Sequence, residues 1–362
     1  ETELDWTRTE LTAAITLAIL ISALFAPLAG RIIDFGKGAM MMALSCFLGA
    51  ICLIWLSLVT TRIEFYLIWA ILGAVMAGSL YEPCFALITR AKQGQAKQAI
   101  IFVSLVAGFA STICYPAIHS LSESFGWRTA VQVFAAVIIF VAAPLMWMGA
   151  SIVERNGRTF PVLNNQPVDR QRSFLNTPAF WFLAIAFLLL AIVHGVTIHH
   201  MFPLLADRGI GADSAVIAAS FIGPMQVAGR LAMMAAERRI SVNAVTASCF
   251  LFVALAIVFL IGTAEISTLL VGFIVLFGSA HGVVSIIRPV VARNILGGKN
   301  FGAKFGAMAL FYLAGSASAP YLGSLIWNFG GYDRLLMVLI FLTVIGMALY
   351  LVAYRLSQAT NN

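Results

Sequence analysis

The chain has 362 residues, of which 61% are hydrophobic and only 10% are charged, and its formal net charge is +7. Soluble globular domains carry about 25% charged residues, so this composition excludes an ordinary soluble domain and indicates an all-α polytopic membrane protein. Eleven apolar runs are long enough to cross the roughly 30 Å hydrocarbon core of a bilayer as helices. In chain order they cover residues 11–33, 39–59, 65–88, 99–121, 130–151, 178–202, 215–236, 242–262, 268–292, 304–327 and 335–354.

Basic side chains are distributed unequally between the loops that join these runs. One set of alternate loops holds fifteen lysines and arginines, and the other set holds five. Cytoplasmic loops carry the excess of basic residues in membrane proteins, so the first set is predicted to be cytoplasmic. This predicts a multi-pass protein of the cell (inner) membrane with its C-terminus inside and Glu1 outside. The net positive charge then reflects topology, and we expect no nucleic-acid partner.

The polar segment 154–177 separates five apolar runs from six. The stretches PAIHSLSESFG at 116–126 and PYLGSLIWNFG at 320–330 share Pro, Ser, Leu, Phe and Gly at a constant offset of 204 residues, which indicates an internal repeat. The same offset places the counterpart of the run at 178–202 before residue 1, so we expect a first helix ahead of this numbering. The predicted domains are an N-terminal half-bundle at 1–153, a cytoplasmic central loop at 154–177 and a C-terminal half-bundle at 178–362.

Three short motifs resemble a known family. GRIIDFGKG at 30–38 is similar to the loop between the second and third helices of the major facilitator superfamily, although Phe35 replaces the usual base. FGWR at 125–128 and GPMQVAGR at 223–230 resemble the monocarboxylate-porter-like branch and its bacterial relatives. The resemblance implies two six-helix half-bundles, with eleven of the twelve helices present, and transport by alternating access. It also implies that Gly30, Asp34 and Lys37 take part in conformational switching.

Three charged residues, Glu82, Arg230 and Arg288, lie deep within apolar runs. A charge at the centre of a membrane helix costs about 2.5 to 3.5 kcal/mol on insertion scales, so it is expected to face protein or a water-filled cavity. Glu82 and Arg288 each precede a proline, which frees a backbone carbonyl and bends the helix. We therefore predict two bent, oppositely charged helices that face each other across a central cavity. The alternative is a permanent salt bridge that only clamps the two halves.

Gln226 and Arg230 are four residues apart and share one helix face. In the monocarboxylate porters the corresponding pattern is Asp followed by Arg, and the resemblance implies that Arg230 binds the substrate carboxylate. Because Gln226 replaces the Asp, Glu82 becomes the candidate carboxylate for proton coupling. The three deep charges sum to +1, which a monoanionic substrate would neutralise, and the planar guanidinium suits a carboxylate.

Other polar residues in the apolar runs are weaker candidates for substrate contact. His281 lies seven residues before Arg288 and therefore on the same face, and His194 lies within another run. Both are candidates for the cavity, with helix packing as the alternative. The predicted substrate-binding residues are therefore Arg230, Arg288, Gln226, His281, His194, Tyr81 and Tyr115. The histidine spacing fits no metal-binding pair, and the chain has no zinc-protease, serine-hydrolase or phosphate-loop motif, so we expect no metal, no cofactor and no enzyme.

The leading prediction is a secondary active transporter of a small, monocarboxylate-like organic anion. It would be coupled to protons and functional as a monomer in the lipid bilayer. Two alternatives remain open. One is an exporter of drugs or other toxic small molecules on the same fold, and the other is a non-transporting membrane sensor or scaffold.

Overall fold

The computed structural model describes residue 6 and residues 8–92, 96–107, 110–157, 172–236 and 239–361, and every regular element within these residues is helical. The described residues also include a π-helical turn at Ile138–Ala142 and a short 3-10 helix at Arg172–Asn176. The α-helices are α1 Arg8–Asp34, α2 Gly38–Ser57, α3 Arg62–Ser79, α4 Tyr81–Lys92, α5 Ala96–Ala107, α6 Ala110–Phe125, α7 Trp127–Val137, α8 Ala143–Gly157, α9 Pro178–Asp207, α10 Ala212–Ala236, α11 Val242–Gly262, α12 Leu269–Leu296, α13 Phe301–Asn328 and α14 Gly331–Asn361.

The predicted all-α membrane fold is confirmed. Nine helical segments of the described chain are long and apolar enough to cross a membrane, and each corresponds to one of the predicted runs. The two remaining runs, 99–121 and 215–236, fall on α5 with α6 and on α10, which are helical as well. Because backbone groups have no water to bond in hydrocarbon, helices are the structure that such apolar runs must adopt.

The run predicted at 65–88 is one apolar span built from two helices. Leu80 is extended, with φ −87° and ψ −158°, and it separates α3 from α4. Glu82 and Pro83 therefore lie in the first turn of α4. A proline is tolerated there because the first helical N–H groups have no partner within the helix, and the positive end of the helix dipole favours a carboxylate. By contrast, α12 continues through Pro289 without a break.

The chain forms two compact units. Unit 1 comprises Glu1–Gln171 with Gly298–Leu313, and unit 2 comprises Arg172–Gly297 with Ala314–Asn362. Helix α13 thus begins in unit 1 and ends in unit 2. In unit 1, α1 and α2 pack on α3, and α2 also contacts α7 and α8. In unit 2, α12 packs on α10 and α11, and α14 packs on α9 and α11.

Candidate functional site

The first group of candidate residues lies in unit 1, where α1 meets the beginning of α13. The Asp34 carboxylate accepts hydrogen bonds from the backbone N–H groups of Gly302 at 2.8 Å and Ala303 at 2.7 Å. These are among the first N–H groups of α13, which have no acceptor within their own helix. Arg90 and Lys304 also interact with Asp34 electrostatically. Asp34 therefore caps a helix that is remote from it in the chain.

Gly30 makes this contact close enough for the cap to form. A Cβ atom on Gly30 would overlap the carbonyl group of Gly302, and a Cβ on Gly302 would overlap the carbonyl of Gly30. The two helices thus approach backbone to backbone, as small residues permit in membrane proteins. One turn farther along α13, a Cβ atom on Gly306 would also overlap the carbonyl of Ala26.

Two residues of this group were not predicted as functional. The Glu154 carboxylate, at the end of α8, accepts hydrogen bonds from the N–H groups of Gly38 and Ala39, both at 3.2 Å, and so caps α2. Arg90 donates to the carbonyl oxygen of Ile33. Lys37, which the resemblance implicated in switching, is exposed immediately before α2. The connection between α1 and α2 is thus held by side chains from α4 and α8.

Glu82 lies close to the same group. It lines a cavity of about 10 Å³ whose other walls include Ala26, Gly30, Phe305 and Gly306, a volume close to that of one water position. Tyr81 is 45% exposed and its ring contacts Phe85, with 5.2 Å between the ring centroids. Glu82 belongs to unit 1 and both deep arginines belong to unit 2, so the predicted pairing across a cavity stays a prediction.

The second group lies in unit 2, where α10 crosses α12. Arg230 and Arg288 are buried, with only 7% and 5% of each residue's surface exposed. Arg230 donates through Nε to the Gly282 carbonyl at 3.2 Å, and its Nη2 lies 3.5 Å from the Ser285 hydroxyl. A Cβ on Gly282 would overlap the backbone of Gln226, so this glycine sets how closely the two helices approach.

His281 and His194 are brought together in unit 2. Their rings are stacked with 3.3 Å between centroids and 2° between planes, and the ring of His194 also stacks on Phe277 at 5.1 Å. Arg230 and Arg288 both interact electrostatically with His281. The two weak histidine candidates thus form one cluster with the two arginines. The side chain of Tyr115 lies outside the described residues.

A larger cavity in unit 2 was not predicted from the sequence. It has a volume of about 830 Å³ and lies between α10 and α12, at the ends remote from Arg230. Its walls are mostly apolar, and Arg208 and Glu265 lie among them. Its apolar lining residues include Ile217, Phe221, Met225, Val271 and Ile274. Within the residues that the structure describes, no group of three or more His, Cys, Asp or Glu side chains could hold a metal ion.

One family model and two proteins of related sequence match this chain. The model of the Major Facilitator Superfamily matches residues 1–261. Monocarboxylate transporter 12 of Xenopus laevis is 22% identical over 306 residues, which cover 76% of this chain and 66% of that protein. The MFS transporter asaE of Aspergillus flavus is 22% identical over 322 residues, which cover 87% of this chain and 71% of that protein.

A solved structure also matches most of the chain. The crystal structure of the human organic anion transporter MFSD10 (TETRAN) aligns over 94% of this chain and 83% of that chain, with a TM-score of 0.63 and 15% sequence identity. At that identity the likeness concerns the fold alone. The chain spans about two thirds of the length of the first curated relative.

Proposed function

The chain belongs to the major facilitator superfamily, and from that premise we propose that it carries a small, monocarboxylate-like organic anion across the membrane by alternating access, together with protons. As a member of this family it is a multi-pass transporter and not an enzyme. The proposal adds the substrate class, the proton coupling and the residues that perform each step.

The pair of buried arginines in unit 2 is the observation that carries the proposal. Removing a guanidinium from water is costly unless the charge is compensated, and ionisable residues inside membrane proteins commonly mark substrate pathways. Arg230 and Arg288 lie on two helices that pack directly on each other. A planar guanidinium binds a carboxylate through two parallel hydrogen bonds. The name of one relative, a monocarboxylate transporter, supports the same substrate class.

The remaining roles follow from the sites in unit 1. We assign proton exchange to Glu82, which borders a cavity that has room for about one water. Gly30, Asp34 and Lys37 act in conformational switching, and the Asp34 cap on α13 supports this role because α13 contributes to both units. The protein acts as a monomer in the cell (inner) membrane with a cytoplasmic C-terminus.

The export of apolar compounds is the second candidate function. The cavity of about 830 Å³ in unit 2 supports it, because its walls include Phe221, Met225 and other large apolar side chains. Drug-sized ligands bind in cavities of about this size with predominantly apolar walls. A sensor or scaffold without transport is the third candidate and predicts no flux at all.

Proteoliposome flux distinguishes these functions. The full-length protein is reconstituted and supplied with monocarboxylates, dicarboxylates and cationic drugs, while an internal dye records pH. Saturable uptake of a monocarboxylate with acidification of the lumen is expected. Movement of the cationic drugs in place of the carboxylates would favour export, and the absence of any protein-dependent flux would contradict transport.

A further inference from the structure

The stacked histidines of unit 2 come from two different helices, His194 from α9 and His281 from α12. Parallel stacking at 3.3 Å leaves the two rings in direct contact over their faces. Nδ1 of His194 is buried and has no hydrogen-bond partner among the described residues. Native structures rarely leave a buried polar atom in this state, and the exceptions often have a functional reason.

Among the described residues, the titratable groups that act on this pair are arginines and other histidines. His281 interacts with Arg230 from α10 and with Arg288 from its own helix. His194 interacts with His281 and with His199, which lies on the same helix α9. Within the described part of unit 2, no carboxylate is among the groups acting on either ring.

This environment limits how the pair can take up protons. A neutral imidazole has one donor and one acceptor nitrogen, and protonation makes both nitrogens donors and adds a full charge. Two imidazolium rings in face-to-face contact repel each other, so the pair holds one proton at most. The positive charges of Arg230 and Arg288 already act on His281 and oppose its protonation. The protonated pair is therefore stable only when a negative charge lies nearby.

We propose that His194 and His281 form a proton site that is filled when an anion binds at Arg230 and Arg288, so that one proton enters with each anion. The proposal rests on the proposed anion transport. It assigns the proton that is taken up on anion binding to the histidine pair in unit 2, and the proton exchange that we assigned to Glu82, in unit 1, is a separate step of the cycle. The bound anion stabilises the imidazolium, and the imidazolium in turn stabilises the bound anion, because such linkage is reciprocal.

Anion affinity is therefore expected to depend on pH in a defined way. If the complex holds one more proton than the free protein, the Kd for the anion falls by about tenfold for each unit that the pH is lowered, over the interval in which the free pair is neutral and the bound pair is protonated. Glutamine at both positions leaves no imidazole in the pair to take up the proton. The Kd of that double variant, His194→Gln with His281→Gln, becomes nearly independent of pH in that interval.

Titration calorimetry of the purified full-length protein tests the proposal. Lactate, pyruvate and benzoate serve as probes, and each titration is repeated in buffers of different ionisation enthalpy, which gives the number of protons taken up per anion. We expect about one proton in the wild type and a large loss of proton uptake in the double variant His194→Gln with His281→Gln, because either single variant keeps one imidazole that can hold the proton. His199→Gln is the control and should keep most of the wild-type value, because His199 is exposed and lies outside the stacked pair.

Three results count against the proposal. Proton uptake that persists in the double variant, or that disappears only in Glu82→Gln, assigns the linked proton elsewhere. Wild-type binding of a carboxylate without proton uptake refutes the linkage and leaves anion transport standing, whereas a lack of binding by every probe contradicts the proposed function itself. If the double variant does not fold, nitrogen-15 spectra of labelled histidines in the wild type decide, and imidazole signals that do not shift toward the protonated form on anion addition refute the proposal.

Discussion

Replacing Asp34 should weaken the contact between α1 and the N-terminus of α13, because its carboxylate caps that helix. In the wild type the carboxylate accepts two backbone hydrogen bonds, at 2.8 and 2.7 Å. Asp34→Asn keeps one acceptor oxygen and removes the charge. The loss of one hydrogen bond is worth about 1 kcal/mol, and loss of a negative charge at a helix N-terminus adds about 0.3 to 1 kcal/mol. The contact is expected to weaken by about 1 to 2 kcal/mol, or roughly 5- to 30-fold in its equilibrium.

The Asp34→Asn variant is tested by its transport rate and by the local opening of the beginning of α13. In proteoliposomes, Asp34→Asn should change the turnover rate while the ranking of substrates stays the same, because Asp34 contacts backbone at a helix end. Hydrogen exchange of the peptide that contains Gly302 and Ala303 should become faster. Glu64→Gln is the control, since Glu64 accepts from Thr60 and Thr61 at the N-terminus of its own helix.

Two results would refute the reasoning about Asp34. A reordered substrate ranking would mean that the carboxylate contributes to substrate choice. Unchanged exchange at the beginning of α13 together with an unchanged rate would mean that the cap does not limit the transport cycle. An effect of the same size in Glu64→Gln would point to a general loss of helix stability.

Three further predictions concern the buried groups. Arg230→Lys should weaken monocarboxylate binding in calorimetry by about tenfold or more, because an ammonium lacks the planar fork, and equal affinity would dismiss the role of Arg230. Glu82→Gln should abolish uptake driven by a pH gradient but preserve exchange between equally loaded compartments, and gradient-driven uptake that survives would remove Glu82 from coupling. Gly282→Ala should lower the free energy of unfolding by about 1 to 3 kcal/mol, because the added methyl group overpacks the contact between α10 and α12. Gly223→Ala is the control, since a Cβ at Gly223 meets nothing within 4 Å.

Hydropathy alone predicted the helices well, because an apolar run in a membrane must satisfy its backbone hydrogen bonds within itself and therefore forms a helix. Helix α11 coincides with the predicted run at 242–262, where Ser241 accepts a hydrogen bond from the N–H of Ala244 and so caps the N-terminus. The break at Leu80 was not predicted. A single extended residue leaves the hydropathy of its run unchanged, and Pro83 is equally compatible with a kink or a helix start.

The partners of the candidate residues could be predicted only in part. The depth of Arg230 and Arg288 was visible as charge within apolar runs, and both are buried. The stacking of His194 on His281 depends on how α9 lies against α12, which no local spacing encodes. Glu154 looked like the beginning of a polar loop, because its partners Gly38 and Ala39 are far away in the chain. Acidic residues one turn beyond an apolar run are therefore worth considering as caps for remote helices.

The close helix contacts have different consequences in the two units. In unit 1, Gly30 and Gly302 bring two helix ends together, and this contact lets the Asp34 carboxylate accept hydrogen bonds from the backbone of Gly302 and Ala303. In unit 2, Gly282 sits in the middle of α12, and its carbonyl is itself an acceptor for Arg230. Separation of α10 from α12 would therefore move the proposed anion-binding group, whereas separation of α1 from α13 would move none of the proposed ligands of the anion. This difference predicts that damage to the helix contact in unit 2 alters anion affinity, and that damage in unit 1 alters the rate of the transport cycle.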